Sequence, residues 1–202
     1  METGDRIIDE ATRQFMHSGI RNVTMDGIAA ELGISKRTVY ENYKDKTALV
    51  RQCMENIFRY HEEKTRNMLS SSKNVIEIIS EFMEEGMKAM NAINPVFFQD
   101  LKKFYPKIWN LFHRRKLDQS YHLIEKLLKK GMEEKLFRED IDLKIVTKLF
   151  FEQNNIIMDE NIFPRNEFNL PDIYQNLTIN FMRGISTNQG IRIIDEMISR
   201  KV

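Results

Sequence analysis

The residues best suited to chemistry in this sequence are the basic and aromatic side chains between positions 35 and 46. That stretch carries four basic residues against two acidic ones, whereas residues 1–34 carry three basic and six acidic residues. Clustered cations and tyrosine hydroxyls are groups that bind the phosphate oxygens of nucleic acids. A solvated basic helix face has a similar composition, so the neighbouring sequence has to distinguish the two interpretations.

Short predicted helices position this stretch. Thr24 is a candidate N-cap for one helix, Ser35 for the next, and Asp45 for a longer helix that continues to about Leu69. The apolar spacing of the residues before Gly19 predicts another helix at the start of the chain. The segment is therefore expected to contain three short helices followed by a long one.

The residues around the turn before the basic stretch have the spacing of a helix-turn-helix motif. Ala29, Gly33 and Val39 lie four and six residues apart. A small residue lets the two helices cross closely, glycine permits a positive φ in the turn, and a branched apolar residue fills the core between them. Lys36 and Arg37 are then left on the outer side, where a helix suits the major groove of DNA. This pattern favours DNA binding over a solvated face.

Several sequence features that mark helix ends and turns occur together between residues 7 and 50. Phe15 and Gly19 end the first helix, Thr24 opens the second, and the stretches IAAELGIS and TVYENYKDKTAL follow. With these marks the segment resembles the DNA-binding domain of the TetR family of transcriptional regulators. The resemblance implies a homodimer that binds a double-stranded DNA operator and is released from it by a small-molecule effector.

The resemblance also implies a set of DNA contacts. It assigns phosphate contacts to Thr24, Tyr40, Tyr43 and Lys46 and contacts with base edges to Lys36, Arg37 and Thr38, with Ser35 at the N-terminus of the helix that carries them. Tyr43 stands where the family often has phenylalanine, so a core position is also open for it. Val39 replaces the commoner leucine, which is a mild change.

The whole chain is expected to be all-α. It has only eight glycines and four prolines in 202 residues, many helix-forming residues and no strand-like alternation. We expect an N-terminal three-helix helix-turn-helix domain, residues 1–50, and a larger C-terminal helical bundle, residues 51–202. The resemblance gives the larger domain two roles, effector binding and dimerisation.

The candidates for an effector pocket are flexible and aromatic side chains of the C-terminal domain. They are Met83, Met87, Met90, Phe98, Tyr105, Trp109 and Phe112. Such residues suit an unidentified, largely apolar effector. The same residues are also typical of packed core, and the sequence leaves that alternative open.

The candidates for a dimer interface lie on two apolar helices near the end of the chain. They are Leu149, Gln153, Ile157, Ile173, Leu177 and Phe181. Two helices from each subunit make a twofold four-helix interface. Gln153 is compatible with a solvated position, with setting the interface register, or with contacting an effector.

The sequence favours a protein that is not an enzyme and has no cofactor or metal. Ser70 and Lys73 match a catalytic spacing, but they lie in a polar linker without partner motifs. The histidines are not paired at metal-binding spacing, and Cys53 is the only cysteine. An alternative function keeps the same fold but uses the C-terminal domain to recruit a protein partner.

The N-terminus carries acidic residues where a signal peptide would carry basic ones, and no apolar run has the length of a membrane span. We therefore expect a cytoplasmic protein without a membrane partner.

Overall fold

The computed structural model describes residues 2–157, 159, 161–164 and 166–199, with only the backbone at positions 90, 91, 154 and 155. Over these residues the chain forms ten helices and no strand, which confirms the all-α prediction. The helices are α1 (Thr3–Ser18), α2 (Met25–Leu32), α3 (Lys36–Asn42), α4 (Lys46–Leu69), α5 (Val75–Ala92), α6 (Pro95–Phe104), α7 (Pro106–Glu133), α8 (Leu143–Ile157), α9 (Leu170–Ile185) and α10 (Asn188–Ser199). In the part of the chain described here, each helix is too short or too polar to cross a lipid bilayer.

Side-chain caps begin several of these helices where the sequence predicts them. Thr24, Ser35 and Asp45 each accept a hydrogen bond from the backbone N–H three residues later, at 3.0, 3.0 and 2.7 Å. Asn94 caps α6 through the N–H two residues later at 3.0 Å. These bonds satisfy N–H groups that the helices leave without a backbone partner. The helix starts are therefore fixed by local sequence.

The chain packs as two compact units. The N-terminal unit contains Met1–Ser70 and Lys88–Arg115, and the C-terminal unit contains Ser71–Met87 and Lys116–Val202. The helix-turn-helix segment therefore packs together with α4, α6 and the first part of α7. The functional division at residue 50 stays a prediction, because packing units need not coincide with functional domains.

The core of the N-terminal unit joins the first three helices to α4. Ile7 and Phe15 of α1, Ile28 of α2 and Val39 of α3 are fully buried, as is Leu49 at the start of α4. Each comes from the apolar face of its helix, and burial of these faces stabilises helices too short to be stable alone. This shared core fixes α3 relative to α1 and α2.

Farther along the same unit, α7 holds α4 by an aromatic contact and an ion-pair cluster. The rings of Phe58 and Phe112 lie 5.0 Å apart. Arg115 donates to Glu55 at 2.9 Å and to Glu62 at 2.8 Å, and its guanidinium lies 5.1 Å from the centre of the Phe58 ring. The long α4 is therefore held at several points by its own unit.

The C-terminal unit is organised around α8, α9 and α10. Phe150 of α8 and Phe181 of α9 pack with ring centres 4.9 Å apart. After α7 the fully buried Phe137 lies against Gly131, where an added Cβ would be 2.1 Å from the ring. Thr187 at the start of α10 donates its N–H to the carbonyl of Leu136 at 2.9 Å. These contacts tie the end of α7 to the last two helices.

Candidate nucleic-acid interface

The turn between α2 and α3 has the geometry that the spacing predicts. Gly33 is left-handed, with φ 64° and ψ 31°, and its N–H donates to the carbonyl of Ala30 at 3.1 Å. The next N–H, of Ile34, donates to the carbonyl of Ala29 at 3.0 Å. Ala29 is 3% exposed and Val39 is fully buried, so the small and the branched residue both face inward. The outer side of α3 is thereby presented to solvent.

Three side chains on the outer side of α3 have the chemistry to contact DNA. Lys36 binds Asp26 at 2.8 Å, and the Asp26 carboxylate raises the pKa of that ammonium. Arg37, whose side chain is 87% exposed, binds Glu41 one turn later at 2.7 Å. Tyr40 is exposed, and the Lys36 ammonium lies 5.9 Å from the centre of its ring. Exposed ion pairs contribute only about 0–1 kcal/mol, so both cations can exchange these partners for DNA at little cost.

The hydroxyl residues at the helix starts are engaged in caps. Ser35 accepts the N–H of Thr38, and the two side-chain oxygens lie 2.8 Å apart. Thr24 is exposed and accepts the N–H of Gly27 at 3.0 Å. A hydroxyl that accepts a capping bond keeps its own proton as a donor. The Thr24 side chain therefore retains a group suited to a phosphate oxygen.

Two residues that the family resemblance assigns to phosphate have polar atoms bound inside the N-terminal unit. The hydroxyl of Tyr43, which is half-buried, donates to the carbonyl of Gly4 at 3.1 Å. Burial also raises the pKa of this hydroxyl. The ammonium of Lys46 donates to the carbonyl of Val23. Sequence reasoning missed these acceptors because backbone carbonyls carry no residue-specific signal.

The methionines predicted for an effector pocket lie on α5. Met83 is buried and Met87 is half-buried, both within the C-terminal unit. The side chain of Met90 lies outside the described residues. Burial of this kind suits packed core as well as a pocket lining, so the pocket role stays a prediction.

The aromatic pocket candidates belong to the N-terminal unit and differ in exposure. Phe112 is buried, Tyr105 is half-buried against the same core, and Trp109 stacks on His113 with ring centres 4.9 Å apart. Phe98 is 41% exposed, and its role in a pocket stays a prediction.

A cleft of about 220 Å³ lies between α7 and α8 in the C-terminal unit. It is lined by Leu117, Asp118, Tyr121, Lys148, Phe151 and Glu152. None of these residues belongs to the predicted pocket. The lining includes both charged and aromatic side chains, and the charged residues are exposed.

The predicted dimer face on α8 includes an exposed apolar stripe. Leu149 is 57% exposed, and Ile145 and Ile156, one and two turns away, are 58% and 44% exposed. Gln153 is half-buried and lies between them along the helix. Apolar residues at helical spacing on one exposed face are typical of an interface with another helix.

The other interface candidates are less accessible. Ile157 and Ile173 are buried within the C-terminal unit at 2% and 6% exposure, so they offer little further area to a partner. Leu177 is half-buried, and Phe181 is half-buried against Phe150. Their role in a dimer stays a prediction.

The amino-acid sequence matches a known family at the N-terminus. Residues 7–53 match the family described as bacterial regulatory proteins, tetR family. Over 185 residues the chain is 23% identical to the HTH-type transcriptional regulator YvaF of Bacillus subtilis, covering 91% of this chain and 96% of that one. It is 26% identical to an HTH-type transcriptional regulator of Staphylococcus aureus over 121 residues, 52% of this chain and 65% of the other. These relatives are named as regulators and not as enzymes.

Solved structures share the fold over nearly the whole chain. A transcriptional regulator from Saccharomonospora viridis, in complex with choline, is similar with a TM-score of 0.73 and 17% identity, covering 92% of this chain and 98% of that one. A TetR-family transcriptional regulator from Marinobacter aquaeolei has a TM-score of 0.72 and 16% identity, covering 99% and 98%. At this level of identity the similarity establishes the fold.

Proposed function

We propose that this chain, a DNA-binding transcriptional regulator of the TetR family, is a dimeric repressor that a small-molecule effector releases from a palindromic operator. The observation that carries the proposal is the exposed side of α3, which presents Lys36, Arg37 and Tyr40 while Val39 anchors the opposite side. A helix held this way enters the major groove with its N-terminal residues nearest the base edges.

The proposed contacts follow from the groups that each side chain offers. Lys36 and Arg37 exchange Asp26 and Glu41 for base edges, and Arg37 has the planar fork that pairs with guanine. Thr38 lies beside them on the same helix. Thr24 and Tyr40 bind phosphates, and Ser35 lies at the N-terminus of α3. Tyr43 and Lys46 are separate cases, since each already has a backbone acceptor within the unit.

Dimerisation is part of the proposal because one short recognition helix makes few contacts. Two helices held about 34–36 Å apart read successive major grooves, and the second binds at a high effective concentration. The exposed stripe of Ile145, Leu149 and Ile156 supports α8 as the centre of the interface, with α9 beside it. Burial of this stripe would remove apolar area from water on both subunits.

The effector is proposed to bind residues 51–202 and to be small and largely apolar, since the candidate residues are mostly methionine and aromatic. The structurally similar regulator from Saccharomonospora viridis was solved with choline, which supports a small-molecule site in this fold. An effector that prefers a dimer with different half-site spacing weakens DNA binding by its differential affinity, typically about 1–3 kcal/mol.

The proposal is tested by fluorescence anisotropy with labelled duplexes from the DNA flanking the protein's own gene, across a salt series. A shuffled duplex of the same composition is the control. We expect specific binding about 4 kcal/mol or more tighter than the control, with a steep salt dependence. Equal, weak binding to every duplex drawn from a genomic library would contradict the proposed function.

A second measurement separates a small-molecule effector from a protein partner. The melting temperature of the protein is measured with a panel of small apolar and cationic compounds, and DNA binding is measured with each compound that raises it. A compound that raises the melting temperature and weakens operator binding supports the effector. If no compound acts and a co-purified protein alters DNA binding, the C-terminal domain recruits a protein partner instead.

A further inference from the structure

The loop between α1 and α2, residues 19–23, is held by side chains from two other helices of the N-terminal unit. The N–H of Arg21 donates to Oδ2 of Asp100 on α6 at 2.7 Å. The carbonyl of Arg21 accepts from the ammonium of Lys46 on α4 at 3.5 Å, and the same ammonium donates to the carbonyl of Val23. Both backbone polar groups of Arg21 are therefore bound, one by an acidic and one by a basic side chain.

Asp100 is a buried carboxylate, only 7% exposed, and the other buried residues of α6 are the apolar Phe97 and Leu101. A buried charge is unfavourable unless hydrogen bonds or an opposite charge compensate for it. The Arg21 N–H supplies the hydrogen bond, and Lys46 supplies positive charge nearby. Burial lowers the pKa of Lys46, and the Asp100 carboxylate opposes that change. The two side chains therefore act on each other across the loop.

The start of α6 packs closely against the same loop. Asn94 binds the end of α1 through two hydrogen bonds. Its backbone N–H donates to the carbonyl of Met16 at 2.9 Å, and its side-chain amide donates to the carbonyl of His17 at 3.0 Å. Gly19 has φ 79°, and a Cβ added to it would lie 2.7 Å from Cγ1 of Val96. The end of α1 and the loop after it are therefore fitted to α6.

The position of this loop matters because it leads directly into Thr24, the N-cap of α2. An N-cap fixes where the first turn of its helix begins, so a displaced loop displaces Thr24 and α2. The turn at Gly33 and the shared core then carry the displacement to α3. Side chains on α4 and α6 can thus control the DNA-binding surface without touching DNA.

We propose that Asp100 and Lys46 are positioning residues for DNA binding, which hold the two sides of the Arg21 peptide and so fix the loop before Thr24. Lys46 acts through this loop and is not a phosphate contact, in contrast to the role that the family resemblance implies. The inference rests on the proposed DNA binding and adds a residue, Asp100, outside the helix-turn-helix segment.

Salt dependence separates the two roles of Lys46. Full-length wild type and Lys46→Met are titrated against a duplex selected from a random library by the wild-type protein, at several salt concentrations. We expect affinity about tenfold weaker, because the loop carbonyls lose their donor, with an unchanged slope of log K against log salt. A slope that becomes shallower by about 0.9 for each subunit would identify a phosphate contact and overturn the proposal.

Asp100→Ala tests whether both residues act through one loop. If they do, the double variant with Lys46→Met binds DNA much more tightly than the two separate losses predict, because either change already releases the loop. Asp100→Asn keeps an acceptor oxygen and is expected to restore most of the affinity. Additive losses, or variants that melt earlier but bind DNA as wild type when folded, would overturn the positioning role. Lys102→Met, an exposed lysine on α6, is the matched control for loss of one positive charge.

Amide hydrogen exchange tests the loop without DNA. We expect the Arg21 N–H to exchange at least about tenfold faster in Asp100→Ala than in wild type, since it loses its acceptor. Unchanged exchange would overturn the inference even if DNA binding is weakened. If the wild-type protein selects no duplex, the proposed function fails, and with it the role in DNA binding. Exchange then still shows whether Asp100 holds the loop.

Discussion

Two exposed helix faces of this chain differ in what they offer a partner. On α3, Lys36 and Arg37 are cationic, and each already lies in an exposed ion pair with a neighbouring carboxylate. On α8, Ile145, Leu149 and Ile156 form an apolar stripe. Binding at the α3 face exchanges one charged partner for another. Binding at the α8 face is favourable because it removes apolar surface from water.

This difference separates the two interactions experimentally. Binding through the α3 face should weaken strongly as salt rises, because each phosphate contact displaces counterions. Association through the α8 face should depend little on salt, because apolar burial involves no charge. The comparison also teaches why a net charge of +1 is uninformative here, since the relevant charge is local to one helix.

The largest expected effect is on the stability of the N-terminal unit, which holds α3 in place. Gly19 has φ 79° and ψ 156°, a conformation nearly restricted to glycine, and it lies against Val96. Gly19→Ala should reduce the free energy of unfolding by roughly 4 kcal/mol, because backbone strain and overpacking add together. Chemical denaturation measures the change.

Gly33→Ala is the matched control for that variant. Gly33 is also left-handed, at φ 64°, but nothing lies within 4 Å of an added Cβ. Gly33→Ala should therefore reduce the free energy of unfolding by about 1–2 kcal/mol, from backbone strain alone. Equal losses at the two glycines would show that the contact with α6 does not restrict the loop.

The next largest effect is on the α8 face. Leu149→Asp should weaken dimerisation by about 3 kcal/mol, since apolar burial is lost in both subunits. Sedimentation at micromolar concentration should then find monomers, and DNA binding should fall with them. Leu111→Asp, at a position 51% exposed on α7, is the control and should remain dimeric. If the Leu149→Asp variant remained dimeric, the interface would lie elsewhere.

A smaller effect is expected on base recognition by α3. Arg37→Ala should reduce discrimination against one substituted base pair in each half-site by about 1–3 kcal/mol. Its stability should change by less than about 0.5 kcal/mol, because the ion pair with Glu41 is exposed. Arg13→Ala, which removes an exposed arginine from α1, is the control. Equal weakening on every duplex would make Arg37 a phosphate contact.

The last effect appears only in alkaline solution and concerns the core shared by α3 and α4, not either exposed face. Burial raises the pKa of the Cys53 thiol to about 12 from 9.0, so the folded state favours the neutral thiol. The stability that this provides is complete below pH 9 and is lost as the pH rises from about 9 towards about 12. Wild type should lose up to about 1.4 kcal/mol more per pH unit there than Cys53→Ala. If the free energy of unfolding depended on pH in the same way for wild type and Cys53→Ala, the thiol would not be shielded from solvent.

Much of the fold was predictable because its signals are local. Thr24, Ser35 and Asp45 cap their own helices, and Pro95 and Pro106 each begin a helix. The helix-turn-helix spacing also predicted which side of α3 is buried. These features depend on residues within one or two turns of each other, where sequence separation and spatial separation agree.

The acceptors of the candidate DNA-binding residues were not predictable in the same way. The hydroxyl of Tyr43 meets Gly4, and the ammonium of Lys46 meets a loop more than twenty residues earlier. The exposure of Phe98 depends on where α6 ends and how it packs. Each depends on contacts between segments distant in sequence.

The sequence by itself determined the helices, their caps, the turn at Gly33 and the charge on α3, because backbone geometry and helical periodicity act over a few residues. Only the tertiary structure decided that Asp100 binds the Arg21 peptide, that Lys46 faces loop carbonyls, and that Ile157 is buried while Leu149 is exposed. Side chains with the same helical spacing become core or surface according to which other helix packs on them, and that choice is made by the whole chain.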